Sequence, residues 1–356
     1  MTLALPIGST IGIIGGGQLG RMLSVAASRL GFRCHIFEPG ANPPAGHVAD
    51  QVTTAAYDDE DALRAFGKSV DIITYEFENI PTAALDLLQD LAPIHPGREA
   101  LRVSQDRLTE KTFLQELGLQ TAPFADVTDA ASLEAALDKI GTPSILKTRR
   151  FGYDGKGQAR IMSRENAAQA LADMNEAPAI LEGFVDFSHE VSVIAARSLD
   201  GSVAAFDPGE NVHSDGILRT TTVPARLTAS QRTDAVLLAA KIANALNYVG
   251  VMGVELFVTP NNLIVNEIAP RVHNSGHWTQ NGCSVDQFEQ HIRAITGWPL
   301  GDGQRHTDIV MENLIGDDMD RVPDLAKTPD CALHLYGKAE TKPGRKMGHV
   351  NHIKRG

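Results

Sequence analysis

The stretch from residue 251 to residue 279, VMGVELFVTPNNLIVNEIAPRVHNSGHWT, constrains the fold of this chain more than any other. Two short apolar runs, 251–258 and 263–265, flank a Pro-Asn-Asn turn, and this pattern predicts a β-hairpin. The hairpin delivers two carboxylates, Glu255 and Glu267. Apolar strands need no carboxylate for packing, and a Glu is rarely buried unless it is paired or bound to a metal. We therefore expect the hairpin to contribute to a site and not only to a core.

Oxygen ligands dominate the end of this hairpin. Glu255, Glu267 and Asn266 would form a hard ligand set of the kind that holds Mg²⁺ beside a nucleoside triphosphate. A dense polar cluster follows, made of Arg271, His273, Asn274 and His277. The alternative is a pair of Glu side chains on the solvent face of the hairpin. The spacing of His273 and His277 also suggests zinc, although no third ligand is evident.

Composition limits the protein class. The 356 residues exceed what one hydrophobic core usually supports, so two or three domains are expected. A net charge of −12 argues against a nucleic-acid partner, and no apolar run approaches the length of a membrane span. Cys34, Cys283 and Cys331 are widely separated, which fits a reducing cytoplasm better than a disulfide framework. The N-terminal stretch lacks a basic segment and a cleavage site, so the expected location is cytoplasmic.

The N-terminal region predicts a strand, a glycine loop, a helix and a second strand. The strand at Thr10–Ile14 precedes Gly-Gly-Gly-Gln-Leu-Gly at 15–20, and a helix at 21–30 leads to a strand at 34–37. Glu38 then stands near the position of a ribose-binding acid, and a helix N-terminus attracts anions. The motif is compatible with a dinucleotide, with another phosphate ligand, or with a tight turn in any α/β domain.

Alternating strands and helices continue to about residue 97 and predict a doubly wound parallel sheet. Glu76 and Glu78 follow a strand predicted at 71–75, at the edge where open α/β sheets bind ligands. Residues 99–118 are predicted to be helical.

A second glycine-rich loop follows a strand predicted at Ser144–Thr148, which carries Lys147. Three glycines between 152 and 157, interleaved with Asp154 and Lys156, predict a phosphate-covering loop, with a plain β-turn as the alternative. The spacing is not that of a Walker loop. Further along, 182–185 resembles a linker between two lobes whose backbone could bond an adenine edge.

Together these features predict an ATP·Mg²⁺ site, in which cationic groups neutralise the charge on the transferred phosphoryl group. The absence of a protein-kinase signature favours a small carboxylate-like acceptor, whose acyl phosphate a second nucleophile captures.

Long motifs sharpen this prediction. GGGQLGRML, YEFENI, FGYDGKGQ, NEIAPRVHNSGHWT and GRKMGH resemble the ATP-grasp enzymes, and more narrowly the family of N5-carboxyaminoimidazole ribonucleotide synthases. The similarity extends from about Gly12 to Val350. It implies a mixed α/β and α+β fold: a Rossmann-like pre-ATP-grasp domain at 1–98, a two-lobed ATP-grasp domain at 99–300 with its lid lobe at about 120–186, and a small β-rich C-terminal domain at 301–356.

The resemblance implies a carbon–nitrogen ligase of purine biosynthesis, acting as a cytoplasmic homodimer. The reaction would carboxylate 5-aminoimidazole ribonucleotide with bicarbonate and ATP, through carboxyphosphate, with Mg²⁺ or Mn²⁺ as the cation.

It also implies site residues, matched motif by motif. Those for ATP are Arg107, Lys147, Gly152, Tyr153, Asp154, Gly155, Lys156, Gly157, Gln158, Glu182, Gly183, Phe184, Val185, Glu190, His213, Asn266 and Glu267. Glu255 and Glu267 would hold the metal. Those for the ribonucleotide are Gly16, Gln18, Leu19, Glu76, Glu78, Arg345 and Lys346. Those for the chemical step are Asp154, Arg271, His273, Asn274 and Lys346.

Three rival interpretations remain at this point. One is another ATP-grasp ligase, such as a formate-dependent glycinamide ribonucleotide transformylase. The second is an NAD-binding protein that uses the loop at 15–20, and the third is a non-catalytic nucleotide sensor. A basic C-terminal turn that is merely solvated is the alternative for Arg345 and Lys346.

Overall fold

The structure, a computed structural model, describes residues 4–152, 156–175 and 177–354. Its first unit is a parallel sheet with the order β3-β2-β1-β4. The elements are β1 (Thr10–Ile14), α1 (Gln18–Arg29), β2 (Arg33–Phe37), β3 (Gln51–Thr53), α2 (Glu60–Lys68), β4 (Ile72–Tyr75) and α3 (Thr82–Leu88). Ile11, Ile13 and Ile36 are fully buried, as is typical of a parallel sheet that is covered on both faces.

The segment predicted to be helical over 99–118 forms two helices, α4 (Arg98–Ser104) and α5 (Arg107–Glu116). The break lies at Asp106, whose backbone is extended and whose carboxylate caps α5 by accepting from Leu108 N and Thr109 N. Asp is a preferred N-cap residue, so a second helix begins after it.

A separate antiparallel sheet forms the next lobe, with the order β5-β8-β6-β7 and its own apolar core. Its elements are β5 (Phe124–Val127), α6 (Ala130–Ile140), β6 (Ser144–Thr148), β7 (Gln158–Ile161), α7 (Ala167–Asp173) and β8 (Ala179–Gly183). They fall within the range predicted for the lid lobe.

A large antiparallel sheet carries the rest of the chain, in the order β14-β13-β9-β11-β12-β15-β17-β16, with β10 beside β9. Its strands are β9 (His189–Arg197), β10 (Val203–Ala205), β11 (Gly209–Ser214), β12 (Ile217–Val223), β13 (Gly250–Val258), β14 (Leu263–Ala269), β15 (Asp308–Ile315), β16 (Cys331–Leu335) and β17 (Lys346–Lys354). The helices are α8 (Ala229–Ala245), α9 (Thr279–Gly282), α10 (Gln287–Thr296) and α11 (Val322–Leu325). Because β15 pairs with β12, the C-terminal strands extend this sheet.

His291 joins the first unit to the large sheet. Its Nδ1 accepts from Val251 N at 3.0 Å, so Nε2 carries the proton and donates to Thr74 Oγ1 at 2.8 Å. Burial, followed by the nearby His95, lowers the pKa of His291 to about 3. The neutral imidazole therefore bridges β4 and β13 by hydrogen bonds.

Cys34, Cys283 and Cys331 are free thiols. None of the helices in the described part of the chain combines the length and the apolar character needed to cross a bilayer.

Candidate active site

The hairpin of β13 and β14 places its two carboxylates opposite each other. Glu255 pairs with Glu267 in the register, and Leu256 then pairs with Val265, so Asn266 is an extra residue that forms a β-bulge. Strand β14 runs on to Ala269, beyond the predicted end at 265, because the bulge lets pairing continue.

Two like charges directly opposite each other are destabilising, and the site resolves this by separating their pKa values. Burial opposes ionisation of Glu267, but the guanidinium of Arg107, with Nη1 3.0 Å from Oε2, outweighs it and lowers the pKa of Glu267 to about 2. Burial and the charge of Glu267 raise the pKa of Glu255 to about 8. One carboxylate is thus ionised and the other protonated at neutral pH.

The donor set fits a hard cation. Glu255 and Glu267 offer carboxylate oxygens, and the buried Oδ1 of Asn266 has no hydrogen-bond partner among the described residues. Mg²⁺ is usually held by one or two carboxylates together with substrate phosphates. In the described part of the chain no three His, Cys, Asp or Glu side chains cluster in a metal-binding arrangement, as a closed zinc site would require.

His273 and His277 face different surroundings. His273 Nε2 lies 3.5 Å from Glu255 Oε1, and its Nδ1 contacts Ser275 Oγ at 2.8 Å. Burial, followed by the charge of Arg271, lowers the pKa of His273 to about 3. His277 points into the interior, where its Nδ1 lies 2.9 Å from Gln287 Nε2.

Lys147 reaches the same region from the lid lobe. Its Nζ lies 2.9 Å from Glu182 Oε2, while Lys111 Nζ lies 3.5 Å from Glu182 Oε1. Burial opposes ionisation of Glu182, but the two lysines outweigh it and lower its pKa. Glu182 is therefore a buried counter-ion inside β8, and because β8 continues to Gly183, the predicted linker begins later than residue 182.

The rest of the predicted linker leaves the lobe at Phe184, whose side chain is 53% exposed, and at the half-buried Val185. The N–H groups of Gly183 and Phe184 donate to the carbonyls of Pro123 and Pro143, so these two donors are already engaged. On the neighbouring strands β9 and β11, His213 Nδ1 lies 3.3 Å from Glu190 Oε2.

The second glycine loop is described at its two ends. Gly157 has a φ of +69°, and a Cβ there would lie 2.5 Å from Thr148 Oγ1, so glycine is required where the loop returns to β6. Gly152 lies near the guanidinium of Arg107, while Lys156 and Gln158 are exposed. Tyr153, Asp154 and Gly155 lie outside the described residues.

The first glycine loop is filled by the protein's own carboxylates. Gly17 N and Gly20 N donate to the two oxygens of Glu76, the latter at 2.6 Å, and Gly16 N donates to Glu38 Oε2 at 2.8 Å. Gln18 and Leu19 begin α1 directly beyond this contact. Because these donors are engaged and two carboxylates line the loop, a dinucleotide pyrophosphate would meet like charge there.

A bidentate ion pair connects the first unit to the hairpin. Arg271 Nε lies 2.6 Å from Glu78 Oε2, and Arg271 Nη2 lies 3.2 Å from Glu78 Oε1. Burial opposes the ionisation of Glu78, and Arg271 outweighs it and lowers its pKa. Asn274, in contrast, exchanges two amide hydrogen bonds with Asn313, at 2.8 and 2.9 Å.

Lys346 and Arg345, at the start of β17, have different partners. The positive charge of Lys346 acts on Glu255 and His273. Arg345 Nη1 donates to the carbonyl of Glu340 at 3.0 Å.

A single cleft brings together residues from three regions of the chain. Its lining includes Glu78, Arg107, Arg150, Gly152, Glu267, Arg271 and His273.

Sequence analysis assigns Glu38 to a possible ribose-binding position and gives Glu110 and Lys111 no role in the site. Glu110 and Lys111 share one face of α5 with Arg107, at i+3 and i+4, and that spacing is the available signal. Their contacts could not be predicted, because the strand that this face meets, β14, lies more than 150 residues further along the chain.

Three family models match consecutive parts of the chain. The ribonucleotide synthetase preATP-grasp domain matches residues 8–105, the ATP-grasp domain 112–288, and the phosphoribosylaminoimidazole carboxylase C-terminal domain 309–355. These matches confirm the predicted fold class; the predicted domain boundaries stay predictions.

Several similar proteins are N5-carboxyaminoimidazole ribonucleotide synthases. An N5-carboxyaminoimidazole ribonucleotide synthase of Brucella melitensis is 55% identical over 354 residues, which cover 99% of this chain and 98% of the relative. The Staphylococcus aureus N5-carboxyaminoimidazole synthetase complexed with ADP has a TM-score of 0.95 at 38% identity, covering 99% of this chain and 95% of that one. An Aspergillus clavatus enzyme in complex with ADP and 5-aminoimidazole ribonucleotide has a TM-score of 0.92 at 30% identity, covering 98% and 94%.

Proposed function

The chain belongs to the family of N5-carboxyaminoimidazole ribonucleotide synthases, and from that premise we propose how its residues divide the reaction. The enzyme is an ATP-dependent carbon–nitrogen ligase of purine biosynthesis, which carboxylates 5-aminoimidazole ribonucleotide to the N5-carboxyamino product. The single observation that carries the division of roles is the pair of opposed carboxylates, Glu255 and Glu267, of which Glu267 is paired with Arg107 at 3.0 Å.

ATP lies between the lid lobe and the hairpin in this proposal. Lys147 and Arg107 supply positive charge for the phosphates, and both side chains are already oriented by carboxylates, at 2.9 and 3.0 Å. Residues 182–185 face the base, with Glu190 and His213 on the floor formed by β9 and β11. The loop at 152–158 closes over the phosphates and excludes water, which a hydrolysable acyl phosphate requires.

Glu255 and Glu267 would hold Mg²⁺ or Mn²⁺, with Asn266 Oδ1 as a further oxygen donor. When bound, the cation neutralises charge on the β- and γ-phosphates. The raised pKa of Glu255 means that this carboxyl carries a proton until positive charge arrives.

The acceptor side is formed by Arg271, His273 and Lys346. We propose that bicarbonate is phosphorylated here to carboxyphosphate, whose charge Arg271 and Lys346 stabilise. Since the pKa of His273 is about 3, the imidazole is neutral and acts through hydrogen bonding. Asp154 remains a candidate for the group that orients the amine or takes its proton.

The ribonucleotide would lie between the first unit and the cleft, near Gly16, Gln18 and Leu19. Glu76 closes the glycine loop and Glu78 orients Arg271, so both would shape this surface. Lys346, which begins β17, and the preceding Arg345 would contact the nucleotide phosphate. Asn274 supports the site through its amide pair with Asn313.

We further propose that the enzyme works in the cytoplasm as a homodimer. Three free thiols fit a reducing compartment, and the family resemblance supports the dimer. Sedimentation of the purified chain measures the oligomeric state directly.

The decisive experiment is ADP formation measured with and without 5-aminoimidazole ribonucleotide and bicarbonate. The proposal requires turnover that depends on both substrates and that formate does not replace. Turnover with formate and glycinamide ribonucleotide would favour the transformylase, and binding of a nicotinamide cofactor without ATP binding would contradict the proposal.

A further inference from the structure

Strand β14 is the edge strand of the large sheet, and its outer edge is met partly by backbone and partly by side chains. The N–H of Val265 donates to the carbonyl of Gln120, within a single parallel bridge between Val265 and Thr121. Beyond this bridge, the carbonyl of Asn266, at the bulge, accepts from Lys111 Nζ at 3.0 Å, and the N–H of Ile268 donates to Glu110 Oε1 at 2.7 Å. One ammonium and one carboxyl group thus make two hydrogen bonds that a longer neighbouring strand would make.

Helix α5 grips three consecutive residues of this strand. Arg107 binds the side chain of Glu267 at 3.0 Å, while Lys111 and Glu110 bind the backbone on either side of it. The three side chains share a helical face because they lie at i, i+3 and i+4. These three contacts therefore hold the bulge that separates Glu267 from the regular part of β14.

Both backbone-binding groups are buried, with 2% of Glu110 and 1% of Lys111 exposed. Lys and Glu are almost never this buried unless their bonding is satisfied, so the contacts with β14 account for their position. Lys111 also faces Glu182, which holds Lys147, so the same ammonium links the strand to the lid lobe.

We propose that Glu110 and Lys111 are positioning residues, which hold the bulge at Asn266 and so direct Glu267 toward Glu255 and the nucleotide. This inference rests on the proposed function for the role of Glu267. Neither residue touches the reacting atoms in this account; both act through the backbone of β14. A displacement of about 1 Å in such a support is enough to cost about 100-fold in rate.

The test compares Glu110→Ala with Glu110→Gln. The amide of Gln keeps an oxygen that can accept from Ile268 N, whereas Ala removes the acceptor. The matched control is Glu116→Gln on the exposed face of the same helix.

Amide hydrogen exchange at Ile268 gives a readout that needs no activity. We expect exchange to accelerate at least about tenfold in Glu110→Ala, because an unprotected edge N–H opens to solvent, and to stay near the wild-type rate in Glu110→Gln and Glu116→Gln. An unchanged rate in Glu110→Ala overturns the inference.

Kinetics then separates positioning from a general loss of stability. For Glu110→Ala we expect kcat/KM for ATP to fall about 10- to 100-fold while KM for the ribonucleotide stays within about twofold, with recovery in Glu110→Gln. Lys111→Met should act in the same direction. Wild-type ATP kinetics in a folded Glu110→Ala would overturn the inference, and so would an equal rise in both KM values.

Should Glu110→Ala fail to fold, Glu110→Asp, which draws the carboxylate back by one methylene, is expected to show the same pattern in weaker form. A wild-type enzyme without ribonucleotide-dependent turnover would contradict the proposed function, while the exchange experiment would still decide whether Glu110 holds β14.

Discussion

The glycine loop at 15–20 and the end of the β13–β14 hairpin both concentrate carboxylates, but they satisfy them in different ways. In the loop, backbone N–H groups of Gly17 and Gly20 donate to Glu76. At the hairpin, the guanidinium of Arg107 meets Glu267. Backbone N–H dipoles stabilise the carboxylate of Glu76, and the full positive charge of Arg107 stabilises the carboxylate of Glu267.

The pKa values show the consequence. Burial raises the pKa of Glu76 despite its two backbone donors, whereas the pKa of Glu267 falls to about 2 because Arg107 outweighs burial. The carboxyl group of Glu76 therefore closes the turn of the loop, and Glu267 is ionised in the hairpin. If the roles proposed above are right, replacing Glu267 affects turnover most, and replacing Glu76 affects stability most.

The largest effect is expected for Glu267→Gln, which removes the ionised carboxylate and leaves Arg107 without its partner. Turnover of ATP with the ribonucleotide and bicarbonate should fall at least about 100-fold. Glu99→Gln, which neutralises an exposed Glu paired with Arg102, is the matched control and should leave turnover unchanged. Near-normal turnover in a folded Glu267→Gln would contradict the assignment.

For Glu76→Gln the main expected effect is on stability. The amide presents an NH₂ group to one of two backbone donors, so the free energy of unfolding should fall by about 1–3 kcal/mol, measured by urea denaturation. Glu60→Gln, on the exposed side of α2, is the control. One result would contradict the difference between the two regions: Glu76→Gln loses as much turnover as Glu267→Gln, and its free energy of unfolding equals that of the wild type.

Lys346→Ala should raise KM for the ribonucleotide about tenfold, about 1.4 kcal/mol of binding, and leave KM for ATP nearly unchanged. Lys346 begins β17, and its positive charge acts on Glu255 of the hairpin. The control is Lys354→Ala at the exposed far end of the same strand. An unaltered ribonucleotide KM would count against the role proposed for Lys346.

The smallest expected effect is the release of a proton from Glu255 when nucleotide and metal bind. Since the folded pKa of Glu255 is about 8, its carboxyl is mostly protonated at pH 7, and an incoming cation favours the ionised form. Binding of Mg²⁺·ADP should therefore release most of one proton at pH 7 and almost none at pH 9. Calorimetry in buffers of different ionisation enthalpy measures this release, and Glu255→Gln should abolish it; equal release by that variant would assign the proton elsewhere.

Local pattern was enough for much of this protein. The apolar runs and the Pro-Asn-Asn turn predict the hairpin and assign one carboxylate to each of its strands. The strand–loop–helix pattern predicts the parallel sheet of the first unit. Long motifs identify the family. These signals depend on residues that lie close together in the sequence, so they can be recognised without knowledge of the fold.

Only the tertiary structure decided which hydrogen-bond donors and charged groups are already paired within the protein and which remain available to a ligand. Arg271 meets Glu78 across 193 residues of chain, and α5 grips β14 across more than 150. The bulge at Asn266 and the use of the first glycine loop by Glu76 likewise depend on packing between distant elements. A charged side chain has many potential partners along the sequence, and only the folded geometry, through distance and burial, selects the one that it binds.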